Sequence, residues 1–380
     1  MGPAPHTPEA AGLPEALKPD VEELLARRFG ARFDLLEYRV ISSRVSRVGR
    51  IAAAPRGGGE LRTFIVKHVP REAYGAPASW RLEFREEAAA YELFSSLEPP
   101  FLERPERIGF HPDGLLLLED LGPSLNHFPV TADLTGPFAT LFARLHAATA
   151  GRRAAYDEAR ARFGLEAGAP DQRSDGLENR RHQFEAGSAV LAEWAELLGI
   201  ASAPVLLGML GEVRAAVEAP GPLHAVTHDD LAHGRQCALG GGRMRMFDFE
   251  NVRYGLALLD LAKALVGKFE RHHPSRVMIL SWPGLGQGLA VQYRRELARA
   301  GGPELPDEVW DAAMADAVVF TTVCQLGVLR YIIDRGQVRG ALLPNLRTLL
   351  RRMEAVLEGN GARRDARRLL GSLDQRIAFA

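Results

Sequence analysis

The sequence predicts an α+β fold, with a small β-rich lobe at the N-terminus and a large, mainly helical lobe after it. Three observations predict this. Alternating β-formers crowd into residues 35–70, strong helix formers dominate from about residue 131, and a short strand-like island at 223–262 interrupts the helical part. The 380 residues are 46% hydrophobic and 25% charged, enough for two or three lobes around a sizeable core.

The elements follow in order. Residues 1–19 are rich in Pro and Ala and read as a loose tail leading to a short helix. LLEYRVISS, RVSRVGRIAAAP and LRTFIVKHV read as three antiparallel strands, with Gly57-Gly58-Gly59 as the turn before the third. Residues 81–97 form a helix with Phe84, Ala88, Tyr91 and Phe94 on one face, stopped by Pro99, Pro100 and Pro105. RIGFHPDGLLLLEDLG is a hairpin whose buried second strand runs into an acidic turn at Glu119-Asp120. PFATLFARLHAAT is an amphipathic helix, and 151–215 holds charged helices rich in Ala and Arg. Residues 270–380 return to helix and end in a basic amphipathic stretch, read as a solvated helix packing on the large lobe. The expected divisions are a tail over 1–19, an N-terminal lobe with connector over 20–121, and a helical lobe over 122–380.

A net charge of -1 carries no global argument for nucleic acid or a membrane surface. Cys237 and Cys324 are too few for a disulfide framework and read as reduced thiols, Cys237 as a small hydrophobe at a strand start. The apolar stretch Ala317 to Leu329 is interrupted by Thr321, Thr322 and Gln325 and falls short of the roughly 20 residues that span a bilayer. It reads as a buried helix. With no charged-then-apolar leader at the start, the expectation is a cytoplasmic monomer or homodimer with neither nucleic-acid nor membrane partners.

The strand island carries the chemistry. Its run from His224 to Gln236 is followed by Met246-Phe247-Asp248-Phe249-Glu250, with Gly240–Gly242 between them. That glycine turn folds the strands back as a hairpin, which would bring Asp230 and Asp248 together at one end. Either aspartate alone is more simply a loop residue capping backbone amides. As a pair, flanked by His228 and an apolar run, they suit phosphoryl transfer: one takes the hydroxyl proton, the other holds magnesium. His146 reads as a packing histidine, and the spacing of His224, His228 and His233 is no metal pattern.

These segments resemble those of the aminoglycoside phosphotransferase and choline kinase family. HDDLAHGR is similar to its HGDLHPGN loop, and MFDFENVRYGLALLDLAKAL to its "IDFE…GDPAYDLA" segment. SSRVSRVGRI resembles its first hairpin and LFARLHAAT its "LARLHA" helix, so the matches run in order from about 38 to 265. The resemblance implies a two-lobed protein-kinase-like fold. It also implies an ATP-dependent O-phosphotransferase using Mg2+ and acting on a hydroxyl of a small metabolite or natural product.

Residue by residue, the resemblance implies Asp230 as catalytic base, in a catalytic loop that includes His228 and Arg235. Asp248 would ligate the metal, and Asp260 would brace the loop. Ser43 lies in the turn that covers the phosphates. Lys67 would bind phosphate and Glu87, preferred over Glu86 for its spacing to Tyr91, would pair with it. The backbone of Glu119 and Leu121 would read the adenine edge, with Leu118 as gatekeeper.

Two positions depart from the pattern. Asp229 replaces a glycine and adds a negative charge beside the site. Arg235 replaces the asparagine that ligates magnesium and hydrogen-bonds the catalytic aspartate, and a guanidinium only donates. Three outcomes stay open. Gln236 supplies the amide oxygen to the metal, Arg235 substitutes its own charge for one metal, or the chain is a pseudokinase that binds nucleotide or scaffolds a partner. Nucleotidyl transfer on the same fold is a further reading. The 151–185 segment mixes arginines with acids and has no acidic excess, which weighs against a polycationic aminoglycoside. Trp194, Trp282 and Trp310 are available for an aromatic cage of the kind a choline-type acceptor would need.

Overall fold

The structure is a computed structural model. It describes residues 13–43, 47–68, 79–112, 114–123, 133–166, 180–230, 236–240, 243–273, 276–280, 288–334 and 342–377. The elements along the chain are α1 (Lys18–Phe29), β1 (Phe33–Ser43), β2 (Arg47–Pro55), β3 (Arg62–His68), α2 (Ser79–Ser96), β4 (Arg107–His111), β5 (Leu115–Glu119), α3 (Thr135–Thr149), α4 (Arg153–Arg162), α5 (Arg180–Leu197) and α6 (Ala203–Glu218). Then come β6 (His224–Thr227), β7 (Cys237–Gly240), β8 (Arg243–Met246), β9 (Arg253–Leu256), α7 (Leu258–Val266), β10 (Lys268–His273), β11 (Arg276–Leu280), α8 (Leu289–Arg299), α9 (Asp307–Asp334), α10 (Leu342–Val356) and α11 (Arg364–Ile377). The fold class is the expected one, α+β with a β-rich N-terminal part and a helical C-terminal part.

The chain divides into two compact units. The first gathers Met1–Pro123, Ala155–Gly168 and Ala238–Asn251. The second holds Ser124–Ala154, Ala169–Cys237 and Val252–Ala380. The first unit thus takes in two segments from beyond residue 122.

In the first unit, five strands form one antiparallel sheet in the order β1-β2-β3-β5-β4. The three strands expected between 35 and 70 are β1 to β3. Gly57, Gly58 and Gly59 all take positive φ in the turn before β3, which only glycine does at little cost. α1 ends at Gly30, whose φ of 68° lets its N–H bond back to Ala26. Val21 and Leu25 of α1 pack with Phe33, Ile51, Val66 and Leu117 of the sheet as one apolar core. Within the stretch expected as a tail, Leu13 is buried against that core and Glu15–Leu17 forms a 3-10 turn; residues 1–12 lie outside the described residues. α2 buries Phe84, Ala88, Tyr91 and Phe94, the face its spacing predicts.

The second unit is built around α9. By length and composition α9 could cross a bilayer, yet 83% of its apolar window is buried inside the protein. It is the core helix expected at Ala317 to Leu329. α5 crosses it with almost no gap: a Cβ on Gly187 would lie 1.9 Å from the Val323 carbonyl oxygen, and one on Gly327 1.9 Å from that of Gln183. One expectation is corrected here. Residues 268–280, whose greater part was read as helix, form the antiparallel hairpin β10–β11. Gly267, at φ 97°, stops α7, and the two segments then pair from Lys268 opposite Leu280 inward to His273 opposite Arg276.

Candidate active site

The first unit assembles a buried ion cluster around Lys67. β3 carries Phe64 and Val66 into the core and Lys67 behind them, 5% exposed. The Lys67 ammonium donates to Glu87 Oε2 at 2.6 Å and to Asp248 Oδ1 at 2.5 Å, and lies 3.6 Å from Glu250 Oε2. Burial works against its charge. Asp248, Glu87 and Glu250 more than offset that and hold its pKa well above the ordinary lysine value. Glu87 is 1% exposed, and its Oε1 has no hydrogen-bond partner among the described residues. Burial raises the Glu87 carboxyl above its usual range despite Lys67. Burial, then the Asp248 charge, raises Glu250 further.

Local structure explains why these groups meet. The α2 helix turns Glu87 inward and its neighbour Glu86 outward, where Glu86 pairs with Arg160 at 2.7 Å. Asp248 sits at φ 70°, a left-handed conformation uncommon outside glycine. It leads into a 3-10 turn, Phe249–Asn251, whose Phe249 is fully buried. That ring packs edge-on against Tyr91 at 5.3 Å and Phe94 at 4.9 Å, which ties Asp248 to the inner face of α2.

The connector after β5 belongs to the same unit. Leu118 is buried. The Glu119 N–H donates to the Glu106 carbonyl at 2.8 Å. The Glu119 carboxylate receives Arg245 at 2.9 Å, and Asp120 pairs with Arg50 at 2.5 Å. Leu121 is half-buried. Ser43 closes β1 opposite Arg47; its side chain and residues 44–46 lie outside the described residues.

The second unit holds the loop after β6. Asp260, on α7, accepts the His228 N–H at 2.7 Å and the Asp229 N–H at 2.8 Å. Its Oδ2 also meets His146 Nε2 at 3.2 Å, and His146 Nδ1 meets the Tyr293 hydroxyl at 2.8 Å. His146 is therefore part of a buried hydrogen-bonded chain, as a packing histidine should be. His228 is fully buried.

Asp229, at φ 61°, does add a carboxylate, but not an uncompensated one. Arg180 grips it through Nε and Nη2 at 2.8 Å each, Lys263 at 2.6 Å and Arg253 at 3.1 Å. Burial opposes its charge, and the three cations outweigh that, holding it well below the usual carboxylate range. Next to it, Asp230 is half-buried and accepts a hydrogen bond from Gln236 Nε2 at 3.0 Å. Gln236 Oε1 is buried with no hydrogen-bond partner among the described residues. Arg235 lies outside them.

Sequence reasoning missed Glu250, Arg180, Arg253 and Lys263. Glu250 had a signal, two positions after Asp248. The three cations had none, since scattered basic residues read as solvated charges.

Oxygen-only donors suit a hard divalent cation. In the first unit, Glu87, Asp248 and Glu250 place carboxylate oxygens within 4.8 Å of one another. The residues therefore fit magnesium.

No protein-family model matches the chain, and a comparison with curated proteins finds no match. Solved structures are similar over most of their length. Choline kinase from Cryptosporidium parvum aligns with a TM-score of 0.45 at 10% identity, over 91% of this chain and 93% of that one. A spectinomycin phosphotransferase in complex with ADP and spectinomycin aligns with a TM-score of 0.43 at 10% identity, over 94% and 98%. Choline kinase from Streptococcus pneumoniae aligns with a TM-score of 0.41 at 12% identity, over 90% and 99%. These neighbours are small-molecule kinases and phosphotransferases.

Proposed function

We propose that this protein is an ATP-dependent O-phosphotransferase acting on a hydroxyl of a small metabolite or natural product, with Mg2+. The observation that carries this is the buried Lys67 ammonium held between Glu87 and Asp248. A lysine kept charged in a dry site is poised for an anion, and Glu87 fixes where the ammonium points. Nucleotide phosphates supply that anion. Bound magnesium would be held by Asp248, with Glu250 as a further oxygen donor, and would neutralise charge on the phosphates.

Asp230 is the base that accepts the acceptor's hydroxyl proton. The acceptor oxygen forms its bond to the terminal phosphorus, and the bond from that phosphorus to the bridging oxygen of ADP breaks. Gln236 Nε2 steadies one Asp230 oxygen, while Asp260 holds the loop by the amides of His228 and Asp229. His228 acts through its backbone. Of the three outcomes open at Arg235, we take the one in which Gln236 supplies an amide oxygen, since its Oε1 is buried and has no partner among the described residues. The alternative, in which Arg235 substitutes its own charge for one metal, falls on a residue outside the described ones. The nucleobase would meet the carbonyl of Glu119, whose N–H is taken, and the amide of Leu121, with Leu118 behind and the turn at Ser43 over the phosphates. The lack of acidic excess in 151–185 weighs against a polycationic acceptor.

Calorimetric titration with ADP, with and without Mg2+, tests the reading. The wild type should bind, and Asp248→Ala should lose most of the Mg2+-dependent gain in affinity. A wild type that binds no nucleotide under either condition would overturn it.

A further inference from the structure

The position of α2 decides whether Glu87 reaches Lys67. Its inner face rests on Phe249. Its outer face is gripped by a segment from later in the chain, α4 and the residues after it. Arg160 donates from Nε to Glu86 Oε2 at 3.0 Å and from Nη2 to Glu86 Oε1 at 2.7 Å, a two-pronged pairing. Its remaining nitrogen donates to the Glu166 carbonyl at 3.2 Å, which fixes the fork. Both side chains of the pair are largely buried, at 12% and 13% exposure.

Further along α2, Glu92 accepts Arg162 at 3.2 Å and Arg107 of β4 at 2.5 Å. Arg107 also donates to the Ala88 carbonyl at 3.2 Å and covers the Phe163 ring at 5.5 Å. Phe163 in turn packs edge-on against Phe110 at 5.4 Å. A solvated ion pair would contribute little. Here a fixed, mostly buried fork sits one residue from Glu87, so a shift of α2 that satisfied a new partner for Glu86 would pull Glu87 off Lys67.

We propose that residues 155–166 are a clamp on α2, and that the Arg160–Glu86 pair sets the position of Glu87 and with it the affinity of the site for nucleotide phosphates. Arg160 is thus a positioning residue, acting through Glu87. The inference rests on the nucleotide-binding reading above.

The test is ADP affinity in the presence of Mg2+, measured by calorimetry well below the melting temperature, with circular dichroism to confirm folding. Arg160→Glu should weaken binding about tenfold, and the charge swap Glu86→Arg with Arg160→Glu should bring it back to within about threefold of wild type. Should Arg160→Glu fail to fold, Arg160→Lys decides, because it keeps the charge and loses the fork, and it should weaken binding about threefold. Wild-type affinity in a folded Arg160 variant, or a charge swap that restores nothing, would overturn the clamp alone. A wild type that binds no ADP would overturn the nucleotide reading and the clamp with it.

Discussion

Replacing a loop glycine by aspartate ordinarily adds strain and a charge. At Asp229 the left-handed backbone costs about 1 kcal/mol, and the charge recruits Arg180, Lys263 and Arg253. Asp229→Gly would relieve the strain and leave three partly buried cations short of a partner. It should destabilise the protein by about 3 kcal/mol in denaturant unfolding. Asp229→Asn should show the same interaction through pH. The folded carboxyl is held below its unfolded value of about 3.9, so its stabilisation is complete above that value and is lost as pH falls below it. The gap in melting temperature between wild type and Asp229→Asn should be widest near neutral pH and shrink below about pH 4. Asp230 calls for a different measurement. Asp230→Asn should cut phosphoryl transfer by at least about a hundredfold and leave ADP affinity nearly unchanged. At this scale, Asp248 stood out by its spacing from Asp230 across a glycine turn, and Lys67 and Glu87 by the resemblance of their segments to those of a known family. Glu250 offered only its place two residues after Asp248, and the cations on Asp229 offered nothing, because only the folded chain brings them to it.

Helices and strands were legible where periodicity was strong and obscure where an element depends on its neighbour. A glycine inside a helix reads as a flaw worth about 1 kcal/mol. Gly187 and Gly327 instead let α5 and α9 touch backbone to backbone. Gly187→Val should therefore do far more than its helix propensity suggests. With no side chain able to yield, α5 must move off α9, and the melting temperature should fall by more than about 8 °C, or the protein should fail to accumulate folded. The hairpin β10–β11 was hidden for a related reason. It is short, lies between helices, and its pairing partner rather than its own pattern makes it a strand.

At the scale of the whole chain, the sequence suggested lobes that follow one another. The compact units consist of three segments each, alternating along the chain. Residues 155–168 and 238–251 bring the first unit its clamp helix and Asp248, Phe249 and Glu250. A fragment ending at Pro123 would therefore lack Asp248, Glu250 and the Phe249 ring that packs on Tyr91 and Phe94. Such a fragment should bind a hydrophobic dye such as ANS strongly and show no affinity for ADP by calorimetry. Linear composition cannot reveal this, because a short helix such as α4 looks the same whichever unit it joins.

The burial of Cys237 and Cys324 has a practical side. Burial pushes the Cys324 thiol up to about 12 and raises Cys237 as well, so neither forms the reactive thiolate near neutral pH. The native protein should yield no colour with Ellman's reagent, and the denatured protein two equivalents. A cysteine placed at an exposed position such as Leu102, which is 66% exposed, would then be the sole site for a maleimide fluorophore. The molecule can thus be given a single optical probe without first stripping its natural thiols.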